Sequence, residues 1–280
     1  MMRANRKCGW VGIIIYLISF YCVSAQTRTV SIITPQPTEQ TTEIRSHLTD
    51  ALNGSYSILS GFMSDSIFSM EGFSNPFNLS VDEARNAGIR IGANYFLLVR
   101  SETQRRTDFT RDRYFESYLA IYVVSSRTGE LRRWIYKKFE RDSFDEAYSN
   151  LKDSIPEIAS EIKASIEKAE QSETATEDFT PSSFDEKAIQ PARPYSRIKP
   201  EYTTLAAIYH IIATIDVLID VDENGSVKAI EVRRWAGYGL EESVKKAIEQ
   251  MTWRPASING RFLRTKVLVR YNFKEIGKED

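Results

Sequence analysis

The sequence predicts an α+β protein with two folded parts joined by a flexible linker. The first part, residues 26–172, alternates helix-type and strand-type stretches, which favours an α/β sandwich with a mixed sheet. Residues 173–194 are rich in proline, serine, threonine and acids, and this composition is typical of a linker. Residues 195–280 regain apolar periodicity in the order β-hairpin, helix, strand, which predicts a smaller β-β-α-β domain.

The first 25 residues have the layout of an export signal. Three basic residues precede an apolar run from Trp10 to Cys22, and Val23-Ser24-Ala25 follows as a small-x-small pattern. We therefore predict a signal peptide over residues 1–25, cleaved after Ala25. The alternative is an uncleaved anchor formed by residues 10–24, although a membrane span normally needs about 17–25 apolar residues.

Composition excludes several classes of function. The formal net charge is −1, and a nucleic-acid-binding domain normally carries a basic stripe. Both cysteines, Cys8 and Cys22, precede residue 26. A chain cleaved after Ala25 would therefore contain no disulfide, no cysteine-ligated zinc and no thiol nucleophile.

The N-terminal part begins with a strand and two helices. We predict a strand over Val30–Ile33 and a helix over Thr42–Asn53, which Asn53-Gly54 would end. Ser80 followed by Glu83 forms a capping box for a second helix, which Ala87-Gly88 would end.

Three strands and a long helix complete this part. The apolar stretch Asn94–Ser101 is predicted to be a central strand, and Tyr114–Ser125 and Leu131–Phe139 a hairpin across a tight turn. A charged helix follows over Ser143–Ser172, where Pro156 should kink or split it.

The C-terminal part starts with a hairpin. Ala213–Val221 alternates apolar and polar residues, the Asn-Gly turn of Asp222–Gly225 follows, and Val227–Arg233 returns. Apolar residues at helical spacing between Leu240 and Met251 predict a helix, and Thr265–Phe273 is the last strand.

The order of these elements and their sequence motifs resemble those of the TonB C-terminal domain family over about residues 195–276. The matching motifs are Ile219-Asp220-Val221-Asp222-Glu223-Asn224-Gly225-Ser226-Val227, Trp253-Arg254-Pro255-Ala256, Asn259-Gly260 and Tyr271-Asn272-Phe273. The resemblance implies a domain that binds protein partners in the cell envelope by taking an added strand, and a periplasmic location. The TonB energy transducer has an anchor that bears a histidine, whereas residues 1–25 contain none.

The N-terminal part carries a second resemblance. Its motifs Glu83-Ala84-Arg85, Ala87-Gly88 and Ile91-Gly92-Ala93-Asn94-Tyr95, followed by an apolar strand, a hairpin and a long helix, are similar to the TolB N-terminal domain and related envelope-assembly lipoprotein domains. This resemblance implies helices packed on a mixed sheet.

The sequence offers no catalytic or metal-binding constellation. No Gly-x-Ser-x-Gly motif is present, His210 lies in an apolar stretch, and His47 belongs to a predicted exposed helix face. Asp220, Asp222 and Glu223 lack the spacing of a calcium-binding EF-hand. We therefore expect no enzyme activity, no cofactor and no metal.

Two sets of residues are candidate contacts with partners. The final strand and the loop before the last helix supply the first set: Trp235, Tyr238, Lys266, Val267, Val269, Arg270 and Tyr271. A plain core strand and packing of the loop onto the helix are the alternatives. A loop between two strands supplies the second set: Arg105, Arg106, Arg111 and Arg113. That loop is either a solvated hairpin tip or a contact for an acidic glycan, a lipid headgroup or a protein.

The sequence thus favours a non-enzymatic adaptor of the cell envelope, with a linker that gives its TonB-like domain reach. The alternatives are an energy transducer to an outer-membrane receptor, a regulator of cell-wall synthesis and an envelope enzyme. The expected partner is an envelope protein, an outer-membrane protein among the options. The oligomeric state stays open, with a homodimer included.

Overall fold

The computed structural model describes residues 28–173 and 190–274. The predicted signal peptide and residues 174–189 of the predicted linker lie outside the described residues.

Within those two ranges, no helix has both the length and the apolar character needed to cross a membrane.

The N-terminal part is built on one five-stranded mixed sheet, in the order β2-β1-β3-β4-β5. Its strands are β1 (Thr29–Ile33), β2 (Ser57–Ile58), β3 (Tyr95–Arg106), β4 (Tyr114–Ser125) and β5 (Leu131–Arg141). β1 runs parallel to β2 and β3, and the other neighbours are antiparallel. The sheet confirms the predicted mixed sheet and the central position of β3.

Helices cover both faces of this sheet. They are α1 (Glu39–Leu52), α2 (Gly61–Ser69), α3 (Val81–Ile91), α4 (Phe144–Asp153) and α5 (Ile155–Glu173). Helices α1, α4 and α5 share one apolar cluster with one face, and α2 and α3 share another cluster with the opposite face. Strands β3 and β4 are therefore buried on both sides, which explains their continuous apolar runs.

Local chemistry sets the helix ends. Ser80 and Glu83 form the predicted capping box. Ser154 separates α4 from α5 just before Pro156, as predicted. The predicted end at Ala87-Gly88 is wrong: α3 continues to Ile91, and Gly92 ends it with a φ of 78° that favours glycine. Helix α2 was not predicted, because its mixed sequence lacks a clear apolar period.

The C-terminal part confirms the predicted β-β-α-β order and adds short elements to it. Its elements are β6 (Arg193–Pro194), α6 (Thr204–Ile208), β7 (Ala213–Val221), β8 (Val227–Arg234), α7 (Leu240–Glu249), β9 (Trp253–Arg254), β10 (Ala256–Ile258), β11 (Arg261–Leu263) and β12 (Thr265–Phe273). Strands β12, β7 and β8 form a three-stranded sheet in that order. Asn259-Gly260 turns the small hairpin β10–β11, with both residues at positive φ.

The two parts pack together. One buried apolar cluster includes Phe96 and Tyr122 from the N-terminal sheet together with Ile215, Val244 and Trp253 from the C-terminal part. In addition, Gln190 already exchanges backbone hydrogen bonds with Ser257, before the predicted start of the C-terminal domain. The expectation that a linker gives the C-terminal domain reach is therefore wrong for this arrangement, since the domain is held by a shared core.

Gly88 allows α3 to approach the sheet closely. A Cβ atom at this position would lie 2.4 Å from the Ser126 hydroxyl oxygen and 2.8 Å from its Cα. Gly88→Ala should therefore lower the free energy of unfolding by about 1–3 kcal/mol in denaturant titration. Asn86→Ala, at an exposed position of the same helix, is the control and should be neutral or slightly stabilising. Equal effects of the two substitutions would contradict the close approach.

Candidate partner-binding site

Strand β12 lies at the edge of the three-stranded sheet. It pairs with β7 along its whole length, from Thr265 opposite Val221 to Phe273 opposite Ala213. Among the described residues, no strand pairs with its other side. The backbone N–H and C=O groups on that side are therefore open to an added strand.

Side chains of β12 alternate between two environments. Val267, Val269 and Tyr271 are half-buried and pack against the shared core. Lys266 and Arg270 point to the opposite face, where Leu268 is 58% exposed. The five candidate residues on this strand thus lie together on one accessible edge. Their role in partner binding stays a prediction.

Ion pairs cover the outer face of this sheet. The Arg270 guanidinium donates to both carboxylate oxygens of Asp216, at 2.6 and 2.8 Å, and Arg264 does the same for Asp220, at 2.8 and 2.6 Å. These bonds hold the pKa of Asp216 and of Asp220 below the ordinary value. Lys266 pairs with Glu231 at 2.7 Å. The positive side chains of the edge strand are therefore largely neutralised within the sheet.

The Asp216–Arg270 pair should make stability depend on pH. Because its pKa is lowered in the folded protein, Asp216 contributes stability above about pH 4 and loses it as the pH falls further. Arg270→Gln should therefore lower the free energy of unfolding slightly at pH 7, because the pair is exposed on the arginine side, and the difference from the wild type should shrink towards pH 2–3. Denaturant titrations across this range measure it. Arg261→Gln removes an exposed arginine from β11 and is the control. Its free energy of unfolding should differ from that of the wild type by the same amount at every pH. If the difference between Arg270→Gln and the wild type grows on acidification, the assignment is refuted.

The other predicted contact residues, Trp235 and Tyr238, do not form an exposed patch. They are 1% and 2% exposed and lie between the two parts of the chain. The Trp235 indole N–H donates to the carbonyl of Gly129 at 3.1 Å, and the Tyr238 ring packs on Trp134 with centroids 4.9 Å apart. The expectation of an aromatic patch for an outside partner is corrected here, since the chain's own sheet occupies both rings.

An unusual backbone shapes this loop. Gly237, Tyr238 and Gly239 all have positive φ, at 76°, 56° and 75°. The buried carboxylate of Glu241 accepts the amide hydrogens of Ala236 and Gly237, at 2.5 and 2.8 Å. Burial raises the pKa of Glu241, and these two hydrogen bonds oppose that shift. Glu241 thus fixes the loop that contacts the N-terminal sheet.

Polar groups reinforce the contact between the two parts. The Asn78 side chain donates to the carbonyls of Thr214 and Trp235, both at 2.8 Å, and accepts the Thr214 amide at 2.9 Å. The Tyr209 hydroxyl lies 2.6 Å from that of Tyr136 and donates to the buried Glu116 at 2.9 Å. Burial together with the Tyr136 contact raises the pKa of Tyr209, so this hydroxyl stays protonated and able to donate.

Gly237 and Gly239 offer a matched test of this contact. A Cβ on Gly237 would lie 2.6 Å from the Trp134 ring, whereas a Cβ on Gly239 meets nothing closer than Thr203 at 3.5 Å. Both alanine variants should lose roughly 1–2 kcal/mol to left-handed backbone strain. Gly237→Ala should lose about 1–3 kcal/mol more, because the ring must move.

Denaturant titration followed by tryptophan fluorescence measures both variants. Equal losses would show that the ring does not pack against this loop in solution.

The four arginines predicted in one loop are only partly free to contact a partner, and Arg105 and Arg106 belong to β3 rather than to the loop that follows it. Arg106 pairs with Glu116 at 3.3 Å, and Arg111 pairs with Glu140 at 2.6 Å. Arg105 and Arg113 are exposed. The four arginines therefore do not act as one patch, and a contact through Arg105 and Arg113 stays a prediction.

The histidines do not meet in a common site. His47 lies on α1 beside Glu43, and His210 follows α6 in the other part of the chain, at a positive φ of 48°. In residues 28–173 and 190–274, no group of three or more histidine, cysteine or acidic residues is arranged to hold a metal ion.

Comparison with known families decides the nature of the C-terminal part. The family described as Gram-negative bacterial TonB protein C-terminal matches residues 198–274. These residues form a TonB-type C-terminal domain. The resemblance predicted from the hairpin motif, Trp253-Arg254-Pro255-Ala256 and Tyr271-Asn272-Phe273 is therefore confirmed. No curated protein matches the chain.

Several solved structures are similar to parts of the chain. The solution structure of the Pseudomonas aeruginosa TonB C-terminal domain is 18% identical, with a TM-score of 0.28, and the match covers 34% of this chain and 94% of that one. Lipoprotein GNA1162 from Neisseria meningitidis is 12% identical, with a TM-score of 0.32, covering 46% and 97%. The LpoB C-terminal domain from Salmonella enterica is 16% identical, with a TM-score of 0.26, covering 41% and 85%.

The residues that join the TonB-type domain to the N-terminal part could not be predicted from the sequence. No local sequence motif marks Asn78, Tyr209 or Glu241. Each of them forms hydrogen bonds with groups that are distant in sequence or that belong to an irregular loop. The one available signal was the pair Gly237 and Gly239 around Tyr238, since closely spaced glycines favour left-handed backbone.

Proposed function

We propose that this protein is a non-enzymatic adaptor of the cell envelope that binds an extended segment of a partner protein along β12. The observation that supports the proposal is the position of β12 at the sheet edge of a TonB-type domain, with its outer main-chain groups unpaired among the described residues. An added strand gains affinity from backbone hydrogen bonds and specificity from alternate side chains.

The two faces of β12 indicate what such a segment would look like. On the inner face, Val267, Val269 and Tyr271 would contact apolar side chains of the visiting strand. On the outer face, Lys266 and Arg270 are already paired with Glu231 and Asp216 and would add little attraction. The partner segment would therefore be chosen mainly by its apolar face, and we place the partner in the periplasm or the outer membrane.

Packing of the two parts favours an adaptor over an energy transducer. A transducer needs its C-terminal domain to reach away from its anchor, whereas Trp235 and Tyr238 hold this domain against the N-terminal sheet. The transducer alternative also requires residues 10–24 to stay attached as an anchor.

Two neighbouring proline substitutions test the role of the β12 edge. Along an antiparallel edge strand, successive N–H groups point alternately to the neighbour and to the open side. Leu268→Pro and Val269→Pro should therefore differ. One of them removes a backbone N–H that bonds to β7 and lowers the thermal unfolding temperature more than the other does. The other mainly removes a backbone N–H that points to the open side. We expect the less destabilised variant to lose partner binding while its thermal unfolding stays near that of the wild type.

Site-specific photo-crosslinking in intact cells provides the binding readout. A photo-reactive residue at the exposed Lys266 of β12 should crosslink to a partner protein, and the same residue at the exposed Phe62 on α2 is the control. Crosslinking from Lys266 that survives both proline substitutions would refute binding along this edge.

A further inference from the structure

Strand β3 extends well beyond its parallel neighbour. β1 runs beside β3 only from Val30 opposite Tyr95 to Ile33 opposite Leu98. β3 then continues to Arg106, and β4 accompanies it to the end on its other side. In the part of the chain that the structure describes, no strand lies on the β1 side of β3 from residue 99 to residue 106.

The main chain of this stretch has open hydrogen-bonding groups. Apart from the ladder with β4, no hydrogen bond to a backbone atom of residues 99–106 is formed by any described residue. In a strand, alternate residues direct their N–H and C=O groups to opposite neighbours. The open edge spans eight residues, or roughly 26 Å at about 3.3 Å per residue.

A cavity of about 530 Å³ borders this edge. One wall is β3 from Arg100 to Thr103, and the facing wall is the start of α1 and the residues before it, from Gln36 to Glu43. Phe144 and Tyr148 of α4 close the side. This cavity and the open edge together are called the β3 groove.

Hydrogen bonds hold the walls of the β3 groove in place. The Gln40 amide donates to the Ser101 hydroxyl, which donates to the carbonyl of Tyr118, both at 2.8 Å. The Tyr148 hydroxyl donates to Glu43 at 2.7 Å. The groove is therefore formed before any ligand arrives, which lowers the entropic cost of binding.

The charge of the β3 groove is acidic on the α1 side. Glu39 is exposed, in the first turn of α1, and makes no ion pair with any described residue. Glu43 is already bound by Lys152 at 3.0 Å. The Arg100 guanidinium lies over Phe77, on the opposite sheet face, with its central carbon 6.0 Å from the ring centroid. The exposed acidic side chains that line the cavity, Glu39 and Glu102, are thus placed to meet positive side chains of a ligand. Arg105 and Arg106 lie beyond the cavity, and Arg106 is paired with Glu116 at 3.3 Å.

We propose that the β3 groove binds an extended, basic segment of a partner protein, which adds to the N-terminal sheet as a strand beside β3. This second docking site lies on a different sheet from β12 and involves different residues. The chain would then join two partner segments on one rigid body.

Hydrogen exchange with two synthetic peptides tests this site on the chain from residue 26 to residue 280. One peptide alternates valine and lysine, and the other alternates valine and glutamate. We expect the lysine peptide to slow amide exchange in residues 99–106, and the glutamate peptide to leave it unchanged. Slowing by neither peptide, by both equally, or only in residues 265–273 would overturn the proposal. Protection of residues 99–106 that rises with protein concentration alone would do the same, because a second copy would then be the ligand.

A charge reversal at Glu39 tests the acidic wall. Glu39→Lys should weaken binding of the lysine peptide about fivefold, measured by fluorescence anisotropy, because one exposed ion pair contributes up to about 1 kcal/mol. Glu242→Lys is the matched control, since Glu242 is also an exposed first-turn residue of a helix, α7, and it should leave affinity unchanged. Equal weakening by both would overturn the assignment. Photo-crosslinking from Lys266 tests β12 alone, so its failure would leave these peptide results standing.

Discussion

The fold depends on one contact, the packing of the loop from Trp235 to Gly239 against the aromatic face of β4 and β5. Tyr122 and Trp134 supply that face: the Tyr122 hydroxyl donates to the carbonyl of Ala236 at 2.9 Å, and Trp134 lies against Gly237. Without this cover, Tyr122, which is fully buried, would face water. The TonB-type domain therefore acts as a structural layer of the N-terminal sheet as well as a candidate binding module.

Positive φ at three successive residues has a cost, which is greatest at Tyr238 because a side chain disfavours that conformation. The strain persists because Glu241 accepts two amide hydrogens of the loop while the Tyr238 ring is buried between Trp134 and Tyr209. The strained backbone at Tyr238 and the buried carboxylate of Glu241 thus both fix the orientation of the C-terminal sheet relative to the N-terminal sheet.

Periodic elements could be predicted from sequence, and contacts between them could not. β4 and β12 have the predicted bounds, Tyr114–Ser125 and Thr265–Phe273, because long apolar alternation leaves little ambiguity in their placement. The end of α3 was misplaced because Gly88 looked like a stop signal, whereas it serves close packing against Ser126. The sequence singles out Trp235 and Tyr238 as candidate contact residues. Their partner could not be deduced, since a ring that packs on a distant strand has the same local sequence as a ring exposed for binding.

Fixed packing decides which surfaces are left for partners. The inner face of the C-terminal sheet is used by the core, and its outer face is neutralised by pairs such as Arg264 with Asp220. Among the residues that the structure describes, the backbone groups left without a neighbouring strand lie along β12 and along the second half of β3. Open strand edges invite self-association unless charged side chains discourage it. Glu102 is exposed on the β3 edge, whereas Arg270 on β12 is paired with Asp216. The main-chain groups of both edges are suited to an added strand, and the side chains of each edge decide which strand fits.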